Sequence, residues 1–125
     1  DELVRLHRMK TGALIAASCL NGYYAAEPEP SEEICRDLRK YAYALGLAFQ
    51  ITDDILDVTS DEQTLGKPIG SDEENGKVTS LTFLSLEEAS NEAERVTEEA
   101  ISAIKKYPSS EALCDLAKYL RSRSF

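Results

Sequence analysis

The sequence predicts an all-α protein built as a bundle of helices. Apolar residues recur at helical spacing along most of its 125 residues, and no apolar–polar alternation is long enough to predict a β-strand. Prolines, glycines and serines separate these periodic segments where helices are expected to begin and end. The first helix is predicted over residues 2–25, and Pro28 and Pro30 break the pattern after it. Its apolar positions are Leu3, Leu6, Met9, Ala13, Leu14, Ala17 and Leu20.

The second predicted helix begins after Ser31, whose hydroxyl can cap it, and runs to about Val58. Residues 41–49 of this helix are apolar around most of its circumference, which is typical of a helix buried inside a bundle. Gly46 lies in this stretch and costs about 1 kcal/mol relative to alanine in a helix interior. Close packing against a neighbouring helix would offset that cost. Tyr41, Tyr43 and Phe49 are predicted to be core residues.

Three further helices are predicted in the second half of the chain. Residues 78–84 predict a short apolar helix, and Ser85 with Glu88 forms the pattern of a capping box at the start of a helix ending near Tyr107. Pro108 ends that helix, and Ser109 or Ser110 can cap the last one. The apolar stripe of the last helix is Leu113, Leu116, Ala117 and Leu120.

Composition and charge exclude several classes of function. The net charge of −9 disfavours nucleic acid or an anionic membrane surface as a partner. The longest strongly apolar run, residues 41–51, is half of the roughly 20 residues that a membrane-spanning helix needs, so no membrane span is predicted. The three cysteines have neither metal-binding nor redox spacing, which fits thiols in a reducing, cytoplasmic compartment.

Three carboxylates close together are the strongest sign of chemistry in the sequence. Asp53 and Asp57 are four residues apart and therefore share a helix face, with Asp54 beside them. Like charges that repel beside an apolar helix are stabilised by a cation, and carboxylate oxygens suit Mg²⁺. The alternative for the carboxylates alone is an acidic, solvated helix end.

A loop rich in glycine and proline follows the carboxylates, over residues 64–77. Lys67 and Lys77 lie in or beside it, where a flexible backbone could bring both ammonium groups over the carboxylates. Lysine binds phosphate as a point charge, so carboxylates holding a metal together with two lysines predict a clamp for a diphosphate. The alternative for either lysine alone is a solvated surface charge.

The combination of these motifs resembles one enzyme family, the trans-polyprenyl diphosphate synthases, which include farnesyl and geranylgeranyl diphosphate synthases. An upstream Lys-Thr pair completes the similarity, in the family's order and approximate spacing. The matching residues are Lys10 and Thr11, Phe49 and Gln50, Asp53, Asp54 and Asp57, Gly66 and Lys67, Gly70 to Asp72, and Lys77.

The resemblance implies the C-terminal part of the isoprenoid synthase fold and a Mg²⁺-dependent condensation of an allylic diphosphate with isopentenyl diphosphate. It implies that Lys10 and Thr11 hold the allylic diphosphate, by charge and by hydroxyl, and that Phe49 lies near the prenyl chain. Gln50 lies one helical turn before Asp54, so its amide can face the same cavity as the Asp54 side chain. Lys67 and Lys77 would contact diphosphate, and Lys10, Lys67 and the metal would stabilise its departing charge.

Among the carboxylates, the resemblance makes Asp53 a direct metal ligand, with Asp54 and Asp57 acting partly through water. Family members are usually homodimers. The family's first aspartate-rich motif and paired arginines have no match here. Residues 1–125 are therefore expected to be a C-terminal fragment of one polyprenyl synthase domain that does not turn over alone. Two alternatives remain open: a non-catalytic prenyl-synthase-like subunit and a class I terpene cyclase.

Overall fold

The computed structural model describes residues 2–64 and 79–123, with the backbone alone for residues 60–64. Every regular element in these two ranges is helical, as the sequence predicts. Helix α1 spans Glu2–His7, a π-helical turn spans Arg8–Gly12, and α2 spans Ala13–Ala26. Helix α3 spans Glu32–Thr64, and a 3₁₀ turn spans Ser80–Thr82. Helices α4 and α5 span Leu86–Ile104 and Glu111–Arg121.

The predicted helix ends differ from the observed ones for local reasons. Helix α3 continues six residues beyond Val58, because no glycine or proline occurs before Gly66. Helix α4 ends at Ile104, three residues before the predicted end, because Pro108 disfavours helical conformation at Tyr107. Residues 80–82 form a single 3₁₀ turn where a short helix over 78–84 was predicted.

The predicted capping box at the start of α4 is confirmed. The backbone N–H of Glu88 donates to Ser85 Oγ at 3.2 Å, and the backbone N–H of Ser85 donates to Glu88 Oε2 at 2.9 Å. The hydrogen bonds to its carboxylate lower the pKa of Glu88. Both bonds satisfy N–H groups that the first turn of a helix leaves without an intrahelical partner.

Helix α3 lies at the centre of the bundle. It packs against the α1–π–α2 segment and against α4, while α5 packs on α3 and α4. Tyr41 of α3 is fully buried, and its hydroxyl donates to the carbonyl of Leu113 at 2.8 Å, so its predicted core position is confirmed. Tyr41 belongs to one apolar cluster of the core. A second apolar cluster joins α3 to α4 and consists of Ala48, Ile51, Ala89, Ala93 and Val96.

The α1–π–α2 segment crosses α3 where each contributes a glycine, Gly12 from the π turn and Gly46 from α3. The sequence predicts close packing at Gly46. A Cβ atom added to Gly46 would lie 2.8 Å from Gly12 Cα, and one added to Gly12 would lie 2.8 Å from Tyr43 Cδ1. Backbones can approach this closely only where both helices lack a Cβ. The prediction for Gly46 is therefore confirmed, and Gly12 is the partner that makes the contact.

The apolar stripes predicted for the first and last helices are partly wrong. Leu6, Met9 and Leu14 are more than half exposed, and the face that packs on α3 contains Gly12 and Ala16. The π turn inserts an extra residue into the helical repeat, so one periodic stripe cannot describe both of its sides.

In α5, Leu116 is exposed, whereas Cys114 and Ala117 are buried against the bundle. Leu113, Ala117 and Leu120 pack on the core as predicted, so within the stripe only Leu116 is wrong, and Cys114 is buried in addition. Within residues 2–64 and 79–123, no helix has the length and apolar character needed to cross a membrane.

An ion-pair cluster ties the end of α4 to the first half of α3. Lys106 Nζ lies 2.8 Å from Glu33 Oε1 and 2.9 Å from Asp37 Oδ2, and the Tyr107 hydroxyl donates to the same Asp37 oxygen at 2.7 Å. The hydrogen bonds from Tyr107 and then Lys106 lower the pKa of Asp37. The turn after α4 is thus fixed to the central helix by a carboxylate that is itself buried.

Candidate functional site

The Lys-Thr pair lies in the π turn, where the first helix crosses α3. The backbone N–H of Ala13 donates to the carbonyl of Arg8, five residues back, which places Lys10 and Thr11 in the widened turn. Single π turns inside α-helices are frequent at functional sites. Lys10 is exposed and Thr11 is half-buried. At the next residue, Gly12, the π turn approaches Gly46 of α3 closely.

A hydrogen bond between side chains joins the two motifs across this crossing. Thr11 Oγ1 donates to Gln50 Oε1 at 2.8 Å, although the residues are 39 positions apart in the sequence. Gln50 is buried, and because its oxygen accepts from Thr11, its amide nitrogen carries the two donors for any further acceptor. The structure therefore brings together Thr11 and Gln50, which the sequence predicts to face one cavity.

The three aspartates on α3 have different environments. Asp53 and Asp57 are four residues apart on one helix, as predicted, and both reach solvent: the Asp53 side chain is 38% exposed, and Asp57 is exposed. Asp54 is buried, and its Oδ2 accepts a hydrogen bond from the backbone N–H of Ser80 at 2.7 Å. The carboxylates thus do not converge as a trio. Among the described residues no three His, Cys, Asp or Glu side chains are grouped to hold a metal ion.

Arg123 contacts the candidate site from the C-terminal end of the described residues, and no motif in the sequence predicts this contact. Its Nη2 donates to Asp53 Oδ1 at 2.6 Å, and its guanidinium carbon lies 4.3 Å from the centre of the Phe49 ring. A guanidinium over an aromatic face gains a cation–π attraction in addition to the ion pair. No spacing rule links positions 53 and 123, so only the fold could reveal this contact. Phe49, predicted to be core, is half-buried beneath this arginine.

His7 is the last residue of α1, three positions before Lys10. It is buried, and its Nδ1 has no hydrogen-bond partner among the described residues. Burial lowers the pKa of His7, the charge of Asp54 opposes that shift, and the charge of Lys10 adds to it. Lys10 of the π turn and Asp54 of α3 are therefore both within electrostatic reach of one imidazole.

The donor set of α3 suits a hard divalent cation. Asp53 and Asp57 supply carboxylate oxygens on one face, and a guanidinium at hydrogen-bonding distance from Asp53 shows that this position accommodates positive charge. Two protein carboxylates are a usual complement for Mg²⁺, which takes further oxygens from water and phosphate. Lys67 and Lys77 lie outside the described residues.

The helical bundle, the Lys-Thr turn and the FQxxDDxxD helix define a prenyl synthase-like chain. The family model for polyprenyl synthetase matches residues 1–119. The chain belongs to the polyprenyl synthetase family, as the sequence motifs predict.

Individual relatives agree with this assignment. The chain is 41% identical over 128 residues to farnesyl diphosphate synthase of Escherichia coli K12, covering 99% of this chain and 42% of that protein. It is 40% identical to geranylgeranyl pyrophosphate synthase 11, chloroplastic, of Arabidopsis thaliana, covering 98% of this chain and 34% of that protein.

A solved structure supports the fold as well. The crystal structure of geranyltransferase from Legionella pneumophila matches with a TM-score of 0.73 and 30% sequence identity, covering 97% of this chain and 37% of that one. The all-α prenyl synthase fold predicted from the sequence is therefore confirmed. The chain spans between a third and a half of the length of these relatives.

Proposed function

We propose that this protein is a Mg²⁺-dependent prenyltransferase that condenses an allylic diphosphate with isopentenyl diphosphate to give a longer prenyl diphosphate. The observation that carries the proposal is the 2.8 Å hydrogen bond between Thr11 and Gln50. It joins the Lys-Thr turn to the aspartate-bearing helix, one turn before Asp53, so that diphosphate-binding and metal-binding groups lie at one site. Similarity to farnesyl and geranylgeranyl diphosphate synthases supports the same reaction class.

In this proposal the residues bind and orient the diphosphate. Lys10 contributes charge and Gln50 its amide N–H groups, and the Thr11 hydroxyl, which donates to Gln50 Oε1, orients that amide. Lys67 and Lys77 contribute two further charges. Asp53 is the first proposed metal ligand and Asp57 the second, because both reach solvent on one helix face. When bound, Mg²⁺ would supply Lewis-acid stabilisation of the charge that develops on a departing diphosphate.

Binding of the allylic substrate should require both the metal and Asp53. The net charge of −9 repels a bare diphosphate, so we expect geranyl diphosphate to bind in the presence of Mg²⁺ and not in EDTA. In isothermal titration calorimetry, Asp53→Asn should weaken binding at least about tenfold, as loss of a charged hydrogen-bonding or ligand group does.

Asp115→Asn is the matched control for that titration. It removes the same charge from α5, where the side chain is 77% exposed and pairs with Lys118. Its affinity should stay within about twofold of the starting chain, as expected for an exposed ion pair. Binding that is indifferent to Mg²⁺ and to Asp53→Asn would contradict the proposed metal site.

Turnover is best tested in a chimera in which this chain replaces the matched segment of the Escherichia coli farnesyl diphosphate synthase. We expect the chimera to extend geranyl diphosphate with isopentenyl diphosphate, and we expect the 125-residue chain alone to form no product. A cyclised hydrocarbon product would instead indicate a terpene cyclase. A folded chimera that binds substrate but forms nothing would indicate a non-catalytic subunit.

We further propose that the working enzyme is a homodimer, because members of the family it resembles are usually homodimers. We also propose that it is cytoplasmic, because its three cysteines are free thiols. Sedimentation of the chimera at micromolar concentration tests the assembly, and a monomer would contradict it.

A further inference from the structure

We infer that Asp54 is a positioning residue that anchors the returning chain, and that it does not ligate metal. This inference rests on the proposed function, since it divides the roles of the three aspartates in that site. Asp54 Oδ2 accepts from the backbone N–H of Ser80 at 2.7 Å, across 26 residues of sequence. Both residues are buried, Asp54 with 9% and Ser80 with 6% of its surface exposed.

Burial separates Asp54 from its two neighbours. Mg²⁺ dehydrates reluctantly and usually keeps several waters, so its protein ligands must face a space that admits a hydrated ion. Asp53 and Asp57 reach solvent, whereas Asp54 faces the interior and one of its oxygens already bonds to the peptide of Ser80. The second aspartate therefore has the surroundings of a structural acceptor.

The anchored turn is built to receive this bond. Thr79 is extended, with φ −118° and ψ 172°, and its side chain forms a capping box with Thr82. The N–H of Ser80 is the first of the 3₁₀ turn, so it has no partner within the turn and needs an acceptor elsewhere. Asp54 supplies that acceptor from the middle of α3.

The anchor fixes the 3₁₀ turn against the helix that carries Asp53. Asp54 and Asp53 are adjacent on α3, so the turn is held beside the proposed metal site. Through this bond, one carboxylate of the motif would fix a segment that borders the site, while its neighbour would meet the cation.

Two pairs of variants separate an anchor from a ligand. Asp54→Asn keeps an oxygen acceptor and loses the charge, whereas Asp54→Ala loses both. Ser80→Pro removes the donor N–H together with the hydroxyl, at a first-turn position that tolerates proline and after an extended residue that proline favours. Ser80→Ala keeps the N–H and is the matched control.

The readout is the affinity for inorganic pyrophosphate with Mg²⁺, measured by calorimetry on the full 125-residue chain. We expect Asp54→Asn and Ser80→Ala to stay within about threefold of the starting chain. Asp54→Ala and Ser80→Pro should each bind about tenfold more weakly, and the double variant should be no worse than either single one, because one shared bond is lost. Asp53→Asn should lose binding that Asp54→Asn keeps.

If Asp54→Asn binds as weakly as Asp53→Asn, charge and not acceptor geometry matters, and the inference is overturned. Hydrogen exchange over residues 79–84 tests the anchor independently of binding. Asp54→Ala should increase exchange there at least about tenfold, and Asp54→Asn should not. If the starting chain does not bind Mg²⁺ and pyrophosphate, the proposed function fails, and exchange alone decides the anchor. Equal exchange in both variants would refute it.

Discussion

Replacing Gly46 with alanine should destabilise the protein, even though alanine is the better helix former. The added Cβ would lie 2.8 Å from Gly12 Cα and 3.0 Å from Gly12 N. Carbon atoms are in favourable contact at about 3.5–4.0 Å, so the two helices would have to separate by roughly 0.7 Å or more. No rotamer change relieves this contact, because the atoms that are struck belong to the backbone.

The size of the effect follows from two opposing contributions. Overpacking of a core typically costs about 1–3 kcal/mol, and a Gly-to-Ala change in a helix interior gains about 0.8–1 kcal/mol. We therefore expect a net loss of up to about 2 kcal/mol in the free energy of unfolding. Separation of the helices would also lengthen the 2.8 Å hydrogen bond between Thr11 and Gln50, which lies one turn from the contact.

Gly22→Ala is the matched control, since Gly22 lies inside α2 and a Cβ there meets nothing within 4 Å. It should gain about 0.5–1 kcal/mol, so the two variants should change stability in opposite directions. Gly12→Ala should fall between them, because its Cβ meets the Tyr43 ring, which can shift. Urea denaturation followed by circular dichroism measures all three, and a Gly46→Ala variant as stable as Gly22→Ala would refute the close crossing.

Two further predictions concern charged contacts of α3. Arg123→Gln should tighten Mg²⁺ binding about two- to fivefold in the absence of diphosphate, because a partly exposed ion pair worth about 0.2–1 kcal/mol no longer competes for Asp53; weaker calorimetric binding would contradict this competition. Asp37→Asn should lower the urea midpoint at pH 7, since it removes the charge that pairs with Lys106 and strengthens the hydrogen bond from Tyr107. The pKa of Asp37 is lowered below its ordinary 3.8, so this contribution is complete above pH 3.8 and is lost as pH falls through the folded-state value. The midpoints of the two proteins should converge in acid, and a gap that persists at pH 2 would contradict the assignment.

The helices could be predicted because their signals are local. Capping at Ser85, the breaks at Pro28 and Pro108, and the apolar stretch of α3 act within a few residues of each other. The π turn could not be predicted in this way. It ends where Gly12 packs against Gly46, a contact between residues 34 positions apart that leaves no local signal.

For the candidate site, the sequence offers residue types and not contacts. The spacing of Asp53, Asp54 and Asp57 predicts a cation site, but spacing alone treats the three carboxylates as equivalent. Tertiary structure distinguishes them, because Ser80 returns to one and Arg123 to another from 26 and 70 residues away. Interactions over such distances leave no periodicity in a single sequence.

Charge balance explains why the two distant contacts matter together. A helix with three carboxylates in five residues is destabilised by their repulsion unless each charge is compensated. The backbone N–H of Ser80 and the guanidinium of Arg123 stabilise two of these charges without a metal ion, and both contacts come from other parts of the fold. At the proposed metal site, a cation that binds Asp53 would compete with the arginine, whereas the peptide contact at Asp54 can persist. Asp53 and Asp54 are therefore stabilised without a metal ion, one through a guanidinium and the other through a peptide N–H.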